Sequence, residues 1–74
     1  AGTMLKVNFK PDAREYEIRM LLIDVHGSLV GGPGQLGDYF VVVPKDRADV
    51  AETKLKTSIL VEAAVVVPGL PARD

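Results

Sequence analysis

His26 is the only imidazole in the chain and there is no cysteine, so the residue types that most often ligate transition metals or pair as nucleophile and base are nearly missing. A structural zinc site needs clustered Cys, His or carboxylate ligands, and one histidine without a paired-cysteine loop does not make one. The same shortage argues against nucleophilic catalysis. Ser28 and Ser58 have no second histidine, and no signature places a base beside either hydroxyl. His26 itself fits the last turn of a helix as a partly exposed side chain, where a cation suits the negative end of the dipole. Carboxylates are more plentiful. Glu15, Glu17, Asp24, Asp46, Asp49 and Glu52 fall at expected helix starts or on wet helical faces, where capping and solubility account for them. The stretch Gly31-Gly32-Pro33-Gly34 would suit a phosphate only with a helix behind it and a lysine-serine ending, whereas it precedes an apolar strand and reads as a turn. No catalytic residue, metal ligand or cofactor-binding residue is expected.

Charge narrows the partners. Nine Lys and Arg face ten Asp and Glu, so there is no basic field to draw phosphate backbones or anionic lipid, and neither nucleic acid nor membrane insertion is expected. The longest apolar runs, such as Tyr39 to Pro44 and Ala63 to Pro68, fall far short of the roughly 20 residues a membrane helix needs. With 74 residues, the chain lies near the lower limit for a fold held by its core alone, and 47% hydrophobic residues make such a core attainable. Ala1-Gly2-Thr3 before Met4 reads as a cloning remnant, residues 4–68 as one domain, and 69–74 as a flexible tail.

The elements that must position any site follow from periodicity. Leu5, Val7 and Phe9 alternate with Lys6, Asn8 and Lys10 over Met4 to Lys10, the period of a half-buried strand. Asp12-Ala13-Arg14-Glu15 has capping-box spacing, and Ile18, Leu21, Leu22 and Val25 form the buried stripe of a helix that Gly27 should end in a left-handed conformation. Ser28 to Val30 is a short strand leading into a glycine-rich turn, and Asp38 to Val43 is a third strand. A second helix, weaker and less apolar than the first, spans about Asp46 to Ser58, and a last strand runs from Val61 to Val67. Residues 4–32 and 38–69 thus read as two degenerate copies of one strand-helix-strand unit.

That order predicts an α+β, ferredoxin-like βαββαβ two-layer sandwich: an antiparallel four-stranded sheet in the order 4-1-3-2, with both helices on one face. Leu5, Val7, Phe9, Tyr39, Val41 and Val43 should meet the helices. The opposite face should carry Lys6, Asn8 and Lys10, then Phe40 and Val42, then Glu62, Ala64 and Val66, either contacting a partner or covered by the C-terminal tail. Lys6, Asn8, Phe40, Val42, Ala64 and Val66 are the candidate protein-contact residues. Two activities known on this fold find no support. Acylphosphatases use a glycine cradle after the first strand, where this chain has Lys10-Pro11-Asp12-Ala13-Arg14. RNA-recognition domains stack bases on aromatic residues of the central strands, where this face offers only Phe40.

The run from Leu5 to Ala13, then Glu17-Ile18-Arg19 with Leu21-Leu22, then Gly27 to Pro33 and Gly37-Asp38-Tyr39, resembles a recurring bacterial module. It is found in extracytoplasmic parts of membrane-bound regulators of the anti-sigma type, and it also resembles the propeptide domain of subtilisin-like proteases. The resemblance spans about residues 4 to 67. It implies a non-catalytic protein-interaction or sensory domain of a larger bacterial extracytoplasmic regulator, binding a protein through the open sheet face or an edge strand and open to weak homo-oligomerisation. The alternative it implies is an inhibitor and intramolecular-chaperone prodomain, with the Phe40 and Val42 face against the protease and Pro68 to Asp74 in its cleft.

Overall fold

Alternation of apolar and polar residues forms β1 (Gly2–Phe9) in the computed structural model, which describes residues 2–69. Gly2 and Thr3, expected as a remnant, belong to that strand and pair with Pro44 and Val43. There follow α1 (Glu15–Asp24), β2 (Ser28–Gly31), β3 (Asp38–Pro44), a 3-10 turn (Lys45–Arg47), α2 (Ala48–Thr57) and β4 (Val61–Val67). All strand pairs are antiparallel and the order is β2-β3-β1-β4, so the chain is the α+β two-layer, ferredoxin-like sandwich that the element order predicts.

Register decides which side chains meet the helices, because residues directly opposite one another share a face. Leu5 lies opposite Val41 and Val7 opposite Tyr39, which places these four on the helix side. Leu5, Val7, Val41 and Val43 are buried there with Val25, Ala51, Leu55, Val61 and Ala64. Full burial of a side chain such as Leu55 contributes about 2 kcal/mol. The two helices share this work unequally, and not as their composition suggests. The less apolar α2 buries Ala51 and Leu55, whereas no residue within α1 is buried. Small residues at Ala48 and Ala51 let α2 lie close to the sheet. Leu21 and Leu22 of α1 pack only at the margin of the core, and Tyr16, Met20 and Ile23 remain exposed.

Both ends of α1 depart from expectation. The helix begins after Arg14, not after Asp12, because Pro11 and Asp12 are taken up in a turn closed by the Ala13 N–H on the Lys10 carbonyl at 3.0 Å. Glu17 then accepts the Arg14 N–H at 2.9 Å. Arginine has no acceptor to offer in return, so only half of a capping box exists. At the far end the His26 N–H bonds Ile23 O at 3.1 Å and the Gly27 N–H bonds Leu22 O at 2.7 Å, the paired bonds of a Schellman motif. His26, with φ of 57°, holds the left-handed position expected of Gly27. Gly27 is required for a different reason: a Cβ there would sit 2.7 Å from Cγ1 of the buried Val41. Since a side chain in the left-handed region costs energy that glycine avoids, His26→Gly should stabilise the domain by about 0.5–1 kcal/mol. Thermal unfolding checks this, with a midpoint a few degrees higher expected.

Candidate functional site

Pairing across the sheet builds the open face residue by residue. Lys6 sits between Phe40 on β3 and Val65 on β4, Met4 between Val42 and Val67, and Asn8 between Asp38 and Ala63. Val65 is 47% exposed, Ala63 is exposed, and Met4, Lys6, Val42 and Val67 are half-buried. Away from the Asn8–Asp38 end, the face is thus an apolar surface around one ammonium group. Among the described residues Lys6 has no carboxylate partner. An aliphatic stem between Phe40 and Val65 with a charged group at its tip suits a contact that is apolar at its centre and takes one carboxylate.

Several expected contact residues are placed differently. Ala64 is only 7% exposed and belongs to the core, and Val66 lies opposite Leu5, on the helix side of the sheet. The cause is a bulge at Glu62: β1 pairs Asn8 with Ala63 but Phe9 with Val61. The extra residue lets Val61 and Ala64 both face the helices, although regular alternation would put them on opposite sides. Ala63, Val65 and Val67 therefore occupy the open face in place of Ala64 and Val66. The bulge was the missing signal, and the valine-rich strand has no polar alternation that would have disclosed it.

Asn8 does lie on the open face, but its amide is committed. Nδ2 donates to the Leu36 carbonyl at 3.1 Å and lies 3.5 Å from Asp38 Oδ1, tying the β2–β3 loop to the central strand. Phe40 points away from the helices, yet it is only 5% exposed. Its cross-strand partners are Lys6 and Gly31, and an aromatic ring opposite an edge-strand glycine covers bare backbone. Phe40 is therefore a supporting residue of this face, and only its neighbours are open to contact. Lys10 lies beyond the end of β1 and is exposed. Residues 70–74, where the covering tail was expected, lie outside the described residues.

The helix layer has further depressions, of which two border α1. One of about 310 Å³ is lined by Glu15, Ile18, Arg19, Leu22, Leu29 and Tyr39, where α1 fails to cover β2. The other, of about 400 Å³, runs between α1 and the α2–β4 turn and includes Tyr16, Met20 and Ile59. Of the carboxylates lining them, Glu15 pairs with Arg19 at 3.2 Å and Asp24 with Lys54 at 3.3 Å across the two helices, while Glu17 accepts the Arg14 N–H; elsewhere on α2, Glu52 pairs with Lys56 at 2.9 Å. Such exposed pairs contribute little stability. His26 Nδ1 lies 3.5 Å from Arg47 on the surface. Among the described residues no group of three or more His, Asp or Glu gathers to hold a metal ion, and no helix is long and apolar enough to cross a membrane.

The two edges of the sheet differ. The β2 edge has four residues and a bulge before Gly31. The β4 edge has seven, of which only Glu62 is charged, and among the described residues no strand pairs with its outer side. No family model matches this chain, and no curated protein or solved structure does.

Proposed function

We propose that this chain is a non-catalytic protein-interaction or sensory domain of a larger bacterial extracytoplasmic regulator, and that it holds a protein partner on the sheet face opposite its helices. The observation that carries the reading is the composition of that face: Met4, Val42, Ala63, Val65 and Val67 around the single cation Lys6. An apolar centre with one charge to satisfy fits a protein surface better than a small polar substrate. The extracytoplasmic regulator itself rests on the sequence resemblance. The same face would serve a prodomain against a subtilisin-like protease.

Site-specific photocrosslinking in the source organism tests the face. A photoreactive residue in place of Val42 or Val65 is expected to give a discrete adduct with one protein, while the same residue in place of Val50 or Tyr16, exposed on the helices, gives none. Adducts of equal yield from all four positions would remove the open face as the contact. Inhibition of subtilisin-like proteases by the purified domain, weakened at least tenfold by Val65→Glu, would assign the face to the prodomain role.

A further inference from the structure

We infer that β4 pairs with β4 of a second copy of this chain, antiparallel about a twofold axis through Ala64, joining two four-stranded sheets into one. Sheets ordinarily blunt their edges with short strands, bulges, lysines or prolines, because unpaired N–H and C=O groups recruit another strand. This sheet does so on one side only. β2 is short and bulged, and it runs directly into Gly32-Pro33. β4 presents seven residues without lysine, and proline comes only after its last residue, at Pro68. Its bulge is confined to the start, at Glu62, and leaves Ala63 to Val67 regularly paired with β1.

Charge and pattern favour a second copy as the occupant. With the axis through Ala64, Ala63 pairs with Val65 and Glu62 with Val66 of the other chain, while the bulge takes Val61 out of the pairing. Apart from Val66, which faces Glu62, each paired residue then has an apolar partner, and the one carboxylate never meets its own copy. Over the regular stretch beyond the bulge, pairing with an even sum of residue numbers also keeps helix face with helix face, which a continuous sheet requires. The formal net charge of the whole chain, −1, opposes association only weakly. Such a contact is isologous and closes on itself, so it stops at the dimer. The inference stands on the sheet edge and does not depend on the open-face reading.

Sedimentation equilibrium on the full chain tests it. A dimer should fill as concentration rises between about 1 and 500 μM, as mass action requires. Val66→Glu sets two carboxylates against each other across the axis and should weaken dimerisation at least tenfold. Combining Val66→Glu with Glu62→Lys should restore it. Within one chain residues 62 and 66 are about 13 Å apart along the strand, so this rescue can arise only between copies. Val66→Lys alone should tighten the dimer severalfold by facing Glu62, an outcome misfolding cannot imitate, and Val42→Lys on the open face should change nothing. A chain that stays monomeric throughout overturns the inference. So does a dimer indifferent to Val66→Glu, or one lost with Val42→Lys, which would place the contact on the open face.

Discussion

Val41→Asp is expected to abolish the cooperative unfolding transition, leaving a chain without a native circular dichroism spectrum. Val41 is fully buried at the centre of the sheet, between Leu5 on β1 and Leu29 on β2. Among the described residues no polar or charged side chain is buried, so nothing in the core can pair with a new carboxylate. An unpaired charge there costs several kcal/mol, or the carboxyl stays protonated at a similar cost. The total stability of a domain this small is only about 5 kcal/mol. The control is Val65→Asp, a like change on the opposite face beside Lys6, which should alter stability by no more than about 0.5 kcal/mol. If the two variants behave alike, the assignment of faces is wrong.

Phe40→Ala is expected to cost about 3 kcal/mol, in the range for a buried aromatic side chain, although Phe40 stands on the face away from the main core. Denaturant unfolding would show a lower midpoint with an unchanged slope. The size of the effect is what discriminates. A ring exposed for partner contact would cost about 0.5 kcal/mol or less on removal. A loss that small would return Phe40 to the contact surface and make it the first residue to truncate in any binding assay.

Much of this architecture was legible because the strands announce themselves in different ways. Leu5, Val7 and Phe9 alternate with polar residues, which determined the face of β1, and the strand-proline-aspartate transitions at Pro11-Asp12 and Pro44-Lys45-Asp46 marked where strands give way to helices. Strand order followed from the repeated unit and the handedness of its crossovers. What could not be read was geometry carried by a single residue. The bulge at Glu62 exchanges the faces of β4, and in a run of alanines and valines no side chain betrays the shift. His26 and Gly27 are both permissible at a helix end, so which of them is left-handed depended on the closeness of Val41, a contact between elements. The contact surface suffered most, because edge residues such as Val66 are 45% exposed whichever face they point to, and composition alone does not separate them from contact residues.

The pairing of Met4 with Val67 brings the start of the first strand beside the end of the last. Because β1 and β4 are antiparallel, tension applied to the two ends does not slide one strand along the other. It parts them from one end, loading the perpendicular ladder bonds a few at a time from Met4 and Val67 toward Phe9 and Val61. In that direction the domain is mechanically weak whatever its thermodynamic stability, since forced opening follows the barrier to separating the first few pairs. Held at both ends, it would act as a low-force fuse that peels open and then closes again, with β4 the part exposed first.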